Sequence, residues 1–137
     1  MIGEVYMNPS IYIRRKGVAL VETEKGILLV LEKHKKYYSL PGGKAEKNET
    51  REDACKRELA EETGMIAHSS RYFDAYLGPV WPNKKIRNDA KVFVVEATGD
   101  PKPISEIDTV AWWTPRCHLK LNDAAKTQIQ KYMLEYN

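Results

Sequence analysis

The chain has 137 residues, a formal net charge of +3, 42% apolar and 30% charged residues, and two cysteines. That length fits one domain with a real core, expected to span residues 1–137, and the charge is too slight to argue for a nucleic-acid partner. Cys55 and Cys117 show neither metal-ligand spacing nor a disulfide framework, and no segment reads as an export signal or a membrane span, so a cytoplasmic protein fits.

In chain order, residues 11–13 and 17–22 read as extended, and Glu24-Lys25-Gly26 as a hairpin turn before a short apolar run, 27–32, consistent with a buried strand. Five lysines follow between positions 33 and 47 (Lys33, Lys35, Lys36, Lys44 and Lys47) with Glu46 as the one acid. Such a loop is ordinarily just solvated. Beside a carboxylate cluster it can also steer a polyanion. Leu40-Pro41-Gly42-Gly43 reads as a turn whose two glycines permit close backbone approach to a ligand.

The next element is a helix over 51–63. Thr50 is its N-cap, Asp53 stands three residues on as a short capping acid, and Gly64 is its C-terminal stop. Stepping about 100° per residue from Ala54, Glu58 falls near 40°, Glu62 near 80° and Glu61 near −20°. Cys55 and Leu59 lie at about 100° and 140°, so the three acids border the stripe expected to be buried. Glu52, Asp53, Lys56 and Thr63 form the opposite, polar face. A solvated acidic helix would put its charges outward among lysines. Here like charges crowd beside apolar residues, which is costly unless they are paired or hold a cation, and hard divalent cations prefer oxygen ligands. Arg57 can pair with Glu61 at i,i+4 or reach back to Glu49, as a surface ion pair or as a clamp that orients the carboxylates.

Beyond the helix, 71–77 and 91–97 read as strands split by a Gly/Pro/Asn-containing loop, and 110–114 as a further strand. Residues 122–135 read as a closing helix with Ala125, Ile129, Tyr132 and Met133 on one side. Alternating strands and helices favour an α/β or α+β class.

The run from Gly43 to Met65 has the form G-x5-E-x7-R-E-L-x-E-E-x-G-M, carried by Gly43, Glu49, Arg57, Glu58, Leu59, Glu61, Glu62 and Gly64. It resembles the signature of the Nudix hydrolases, and the lead-in Tyr38 to Gly43 is similar to theirs. The resemblance implies an α/β fold, an α/β/α sandwich around a mixed sheet. It implies hydrolysis of a pyrophosphate bond in a nucleoside diphosphate derivative, a nucleoside triphosphate or a nucleotide sugar such as ADP-ribose. Magnesium, with manganese as the substitute, would be held by Glu58, Glu61, Glu62 and the Gly43 carbonyl, with Glu49 as accessory ligand or partner of Arg57. The general base would be Glu61 or Glu106 ahead of Glu58. Glu106 resembles the acid the family places before a tryptophan-bearing strand, with Asp108 and Glu96 as rivals. Tyr38, Lys33 and Asn122 are the candidate substrate contacts, Asn122 having helix capping as its competing role. The implied partner is a small nucleotide, with capped RNA and a homodimer left open. A sensor that keeps the fold without catalysis, and a prenyl diphosphate isomerase, are the competing classes.

Overall fold

The computed structural model describes residues 11–136; residues 1–10 and 137 of the expected 1–137 domain lie outside the described residues. Strand β1, Tyr12–Leu20, joins the two extended segments expected at its ends. Its charged Arg14-Arg15-Lys16 run does not break the strand, because every residue from Tyr12 to Leu20 is in parallel register with β6, Ile86–Thr98. On its other side β1 pairs antiparallel with the short β4, Gly42–Lys44. With β5, Ile66–Leu77, these strands form a mixed sheet in the order β4-β1-β6-β5. A second, antiparallel sheet runs β2-β3-β7 and contains Glu22–Thr23, Gly26–Glu32 and Ile107–Trp113.

β5 and β6 extend well past the expected 71–77 and 91–97. Their antiparallel pairing takes in polar residues such as Ser69, whose hydroxyl also donates to its register partner Glu96, and Ser70, whose hydroxyl donates to Glu52 of the helix that follows β4, with bulges between Ala67 and Ser69 and between Tyr72 and Asp74 absorbing the misfit.

The helices cover opposite sides. Helix α1, Arg51–Thr63, keeps the expected bounds: Thr50 accepts the Asp53 N–H at 3.0 Å, and Gly64 caps the end at φ 77°. It buries Cys55 and Leu59 against Ala19, Val21, Leu28, Phe93 and Val95. At Gly17 the helix backbone lies on the strand, and a Cβ there would stand 2.0 Å from the Arg51 carbonyl oxygen. Thr63, expected on the polar face, is fully buried. The segment after β6 folds back over the helix end, with Lys102 N–H donating to the Thr63 carbonyl and Ile104 N–H to that of Glu62. The Thr63 hydroxyl is satisfied locally, donating to Leu59 O at 2.7 Å and accepting from Met65 N–H at 3.2 Å.

Helix α2, Asp123–Tyr136, packs Ala125, Ile129 and Tyr132 onto Val18, Leu20, Ile27, Leu29, Ala90 and Val92. Lys131 and Gln128 hold Asp74 of β5 at 2.8 and 2.9 Å, and the Tyr132 hydroxyl donates to Glu22 at 2.6 Å. Trp112 and Trp113 alternate across β7, one packed on each core. No helix among the described residues is long and apolar enough to cross a membrane.

Candidate active site

A cleft of about 540 Å³ opens where α1, β4, the end of β3 and the loops after β3 and β6 meet. Glu58, Glu61 and Glu62 enter it from α1, Gly42 and Gly43 from β4, and Glu106 from the loop before β7. The helix spacing that set the three acids near one another in sequence thus brings them to one space. β4 lies tight against them. The Gly42 N–H donates to Glu62 Oε1 at 3.2 Å, and a Cβ on Gly43 would stand 2.4 Å from the Glu58 carboxyl carbon. Only a glycine leaves room for that carboxylate.

Arg57 organises the outer side. Its Nε and Nη2 grip Glu49 at 2.8 and 3.0 Å, Nη1 reaches Glu58 at 3.2 Å and Glu61 at 3.1 Å, and Nη2 also reaches the Lys44 carbonyl at 3.0 Å. The two partners left open for Arg57 are therefore both engaged. Both Glu49 oxygens are occupied, since Oε1 also accepts the Glu46 N–H at 2.8 Å. This arginine and that backbone bond hold the Glu49 carboxyl down at about 2.

The inner acids behave in the opposite way. Burial pushes the Glu62 carboxyl up to about 8, with Glu58 and Glu32 adding repulsion against the Gly42 bond. Burial likewise raises Glu58, opposed by Arg57. Glu61 is the most open of the three, its side chain 53% exposed. A carboxyl that burial keeps protonated near neutrality ionises readily only beside a cation. Among the described residues no three His, Cys, Asp or Glu side chains already stand in a metal-binding geometry, Glu58 and Glu61 being drawn to Arg57. The donors are nonetheless all oxygens, two of them partly desolvated, and the set fits a hard divalent cation.

Several expected contacts are placed elsewhere. Lys33 is exposed and does not line the cleft; Lys35, Lys36 and Lys44 do. Its backbone N–H instead donates to the Glu106 carbonyl at 2.9 Å, because β3 ends there. Tyr38 packs against the core under α2, while its neighbour Tyr37, 52% exposed, faces the cleft. Extended chain alternates its side chains, so only one of the two can face each way. Asn122 reaches the cleft edge, but its Oδ1 caps α2 by accepting the Ala125 N–H at 2.8 Å. Of the rivals to Glu106, Glu96 pairs with Ser69 at 2.6 Å on the far strand, and neither it nor Asp108 lines the cleft.

The lining residues that escaped the sequence reading include the charged Arg14, Lys16 and Glu32, the amide Asn88, and the hydroxyls Ser39 and Ser105. Arg14 and Lys16 continue the face of β1 that carries Val18 and Leu20 into the core. The switch along that face from apolar to charged was the available signal. Asn88 is the register partner of Arg14 on β6.

The NUDIX domain family matches residues 12–135 of the chain. The 8-oxo-dGTP diphosphatase of Buchnera aphidicola is 32% identical over 102 residues, 74% of this chain and 79% of that one. The ADP-ribose pyrophosphatase of Methanocaldococcus jannaschii is 32% identical over 78 residues, 55% of this chain and 44% of that one. A crystal structure described as a nudix hydrolase family member from Chromobacterium violaceum superposes with a TM-score of 0.77 at 31% identity, covering 91% of this chain and 79% of that one.

Proposed function

This chain belongs to the Nudix hydrolase family, and on that premise we propose that it hydrolyses a phosphoanhydride bond in a nucleoside triphosphate or a nucleotide sugar such as ADP-ribose. The observation that carries this reading is the convergence of Glu58, Glu61, Glu62, Gly43 and Glu106 on one cleft, with lysines at its rim. Glu58, Glu61, Glu62 and the Gly43 carbonyl would hold magnesium or manganese. That ion, when bound, supplies neutralisation of the anhydride's charge and acidification of the attacking water.

The chain's own residues do the rest. Arg57 tethers the Glu58 and Glu61 carboxylates at the cleft wall by charge-assisted bonds and limits how far they swing as they turn to the cation. Glu61, open to solvent, or Glu106 across the cleft takes the proton from water. Lys35, Lys36 and Lys44 offset the substrate's negative charge. The reading includes a single domain, a cytoplasmic setting and a small nucleotide as partner.

The test is product release from nucleoside triphosphates, ADP-ribose, dinucleoside polyphosphates and capped RNA, with magnesium and with manganese. Turnover of one class identifies the substrate. Binding without turnover across the panel would favour the sensor class instead.

A further inference from the structure

The α2-facing side of β1 and β6 is apolar at Val18, Ala90 and Val92, and it turns polar where it enters the cleft, at Lys16, Arg14 and Asn88. Glu32, at the end of β3, faces the same place. Two features there are unspent. Among the described residues the half-buried Lys16 ammonium makes no hydrogen bond and no ion pair within 4 Å, although Glu32 first, then Glu62 and Glu58, lie near enough to attract it. Asn88 Oδ1 is buried with no partner among the described residues. Buried polar groups of this kind are costly until a ligand satisfies them.

The chemistry narrows the ligand. A cation alone would suit phosphate, but Glu32 beside Lys16 repels one. An ammonium next to a carboxylate matches a neutral group that offers N–H donors beside a carbonyl oxygen. We propose that Glu32 and Lys16 select a guanine-type base, the carboxylate accepting the ring N1–H and the exocyclic amino group while the ammonium donates to the adjacent carbonyl. Asn88 closes the inner end of this subsite. Adenine sets a lone pair where guanine has its ring N–H, so it meets the carboxylate with one donor and one repulsion. Hypoxanthine keeps the ring N–H and the carbonyl but lacks the amino group. The inference rests on the hydrolase reading above for the placement of the phosphates.

The experiment measures kcat and KM for GTP, ITP and ATP with the wild type, Glu32→Gln and Glu32→Asp, alongside calorimetric binding of GMP and AMP without added metal. One bidentate contact of this type is worth about 10- to 100-fold in discrimination. The expected order is GTP, then ITP, then ATP. Glu32→Gln should lower the GTP-to-ATP ratio of kcat/KM at least about 10-fold, mainly through KM, and weaken GMP binding in step. Glu32→Asp should recover part of both. Equal losses for every base, or a wild type indifferent to the base in kinetics and calorimetry alike, would overturn the assignment. If no nucleotide is turned over but GMP binds more tightly than AMP in a Glu32-dependent way, the base subsite stands and the hydrolase reading falls.

Discussion

Arg57 and Glu49 form a two-bond fork at 2.8 and 3.0 Å across eight residues, tying the first turns after β4 to the middle of α1. Through that fork the arginine is oriented to reach Glu58 and Glu61 with its remaining donors. All five guanidinium N–H groups are engaged.

Replacing Arg57 by lysine keeps the charge and loses the fork. A compact ammonium cannot grip Glu49 while reaching two further carboxylates. Turnover should fall about 10- to 100-fold, as for other groups that orient metal ligands. Steady-state kinetics with saturating magnesium check this; a wild-type kcat would show that the carboxylates orient themselves.

Glu62→Gln removes the most desolvated of the candidate ligands while keeping its size and its bond from Gly42. Activity should drop about 10²- to 10⁴-fold with circular dichroism unchanged. Millimolar magnesium or manganese should raise the wild-type Tm, by the equivalent of about 2.7 kcal/mol at a hundred times Kd, and raise that of the variant much less. A metal-independent Tm in the wild type would count against the ligand set.

Gly43→Ala tests the contact between β4 and the helix. The added methyl must displace the Glu58 carboxylate, whose carbon lies 2.4 Å from the Cβ position. Because a side chain rather than backbone yields, the loss should appear as weaker metal activation, read as a rise of about 10-fold or more in the magnesium concentration for half-maximal rate. An unaltered magnesium curve would mean that Glu58 does not bind the ion in the position seen here.

Cys55 should be chemically silent in the folded protein. Burial pushes its thiol up to about 12, so the thiolate that reacts with disulfide reagents is scarce at pH 8. One thiol, that of the half-buried Cys117, should react with a disulfide reagent under native conditions and two after denaturation. A pKa raised on folding contributes stability that is intact below the ordinary thiol value near 9 and is lost as pH rises through about 12. Alkaline melts in which Cys55→Ser lacks that step would confirm the source, and rapid native modification of Cys55 would refute its burial.

How much of this was legible in the sequence depends on range. The bounds of α1 could be read because its cap signals, Thr50 and Gly64, act within a few residues. The acids and Arg57 could be placed because helix spacing alone brings them together. Thr63 could not, since what buries it is a segment some forty positions later, at Lys102 and Ile104. Tyr38, expected at the substrate, packs on the core while Tyr37 faces the cleft, because alternation along extended chain lets one of two neighbours face each way and does not say which. Lys16 and Glu32 are brought to the same cleft by strands of two different sheets, and no local pattern records that meeting.

The contact at Gly17 bears on how the cleft can respond to what enters it. Helix α1, with the acidic cluster, and strand β1, with Lys16, touch backbone to backbone there, so neither wall can slide without the other. Any closing movement around a bound molecule is left to segments outside that joint, those that bear Tyr37, Trp81 and Glu106 among them.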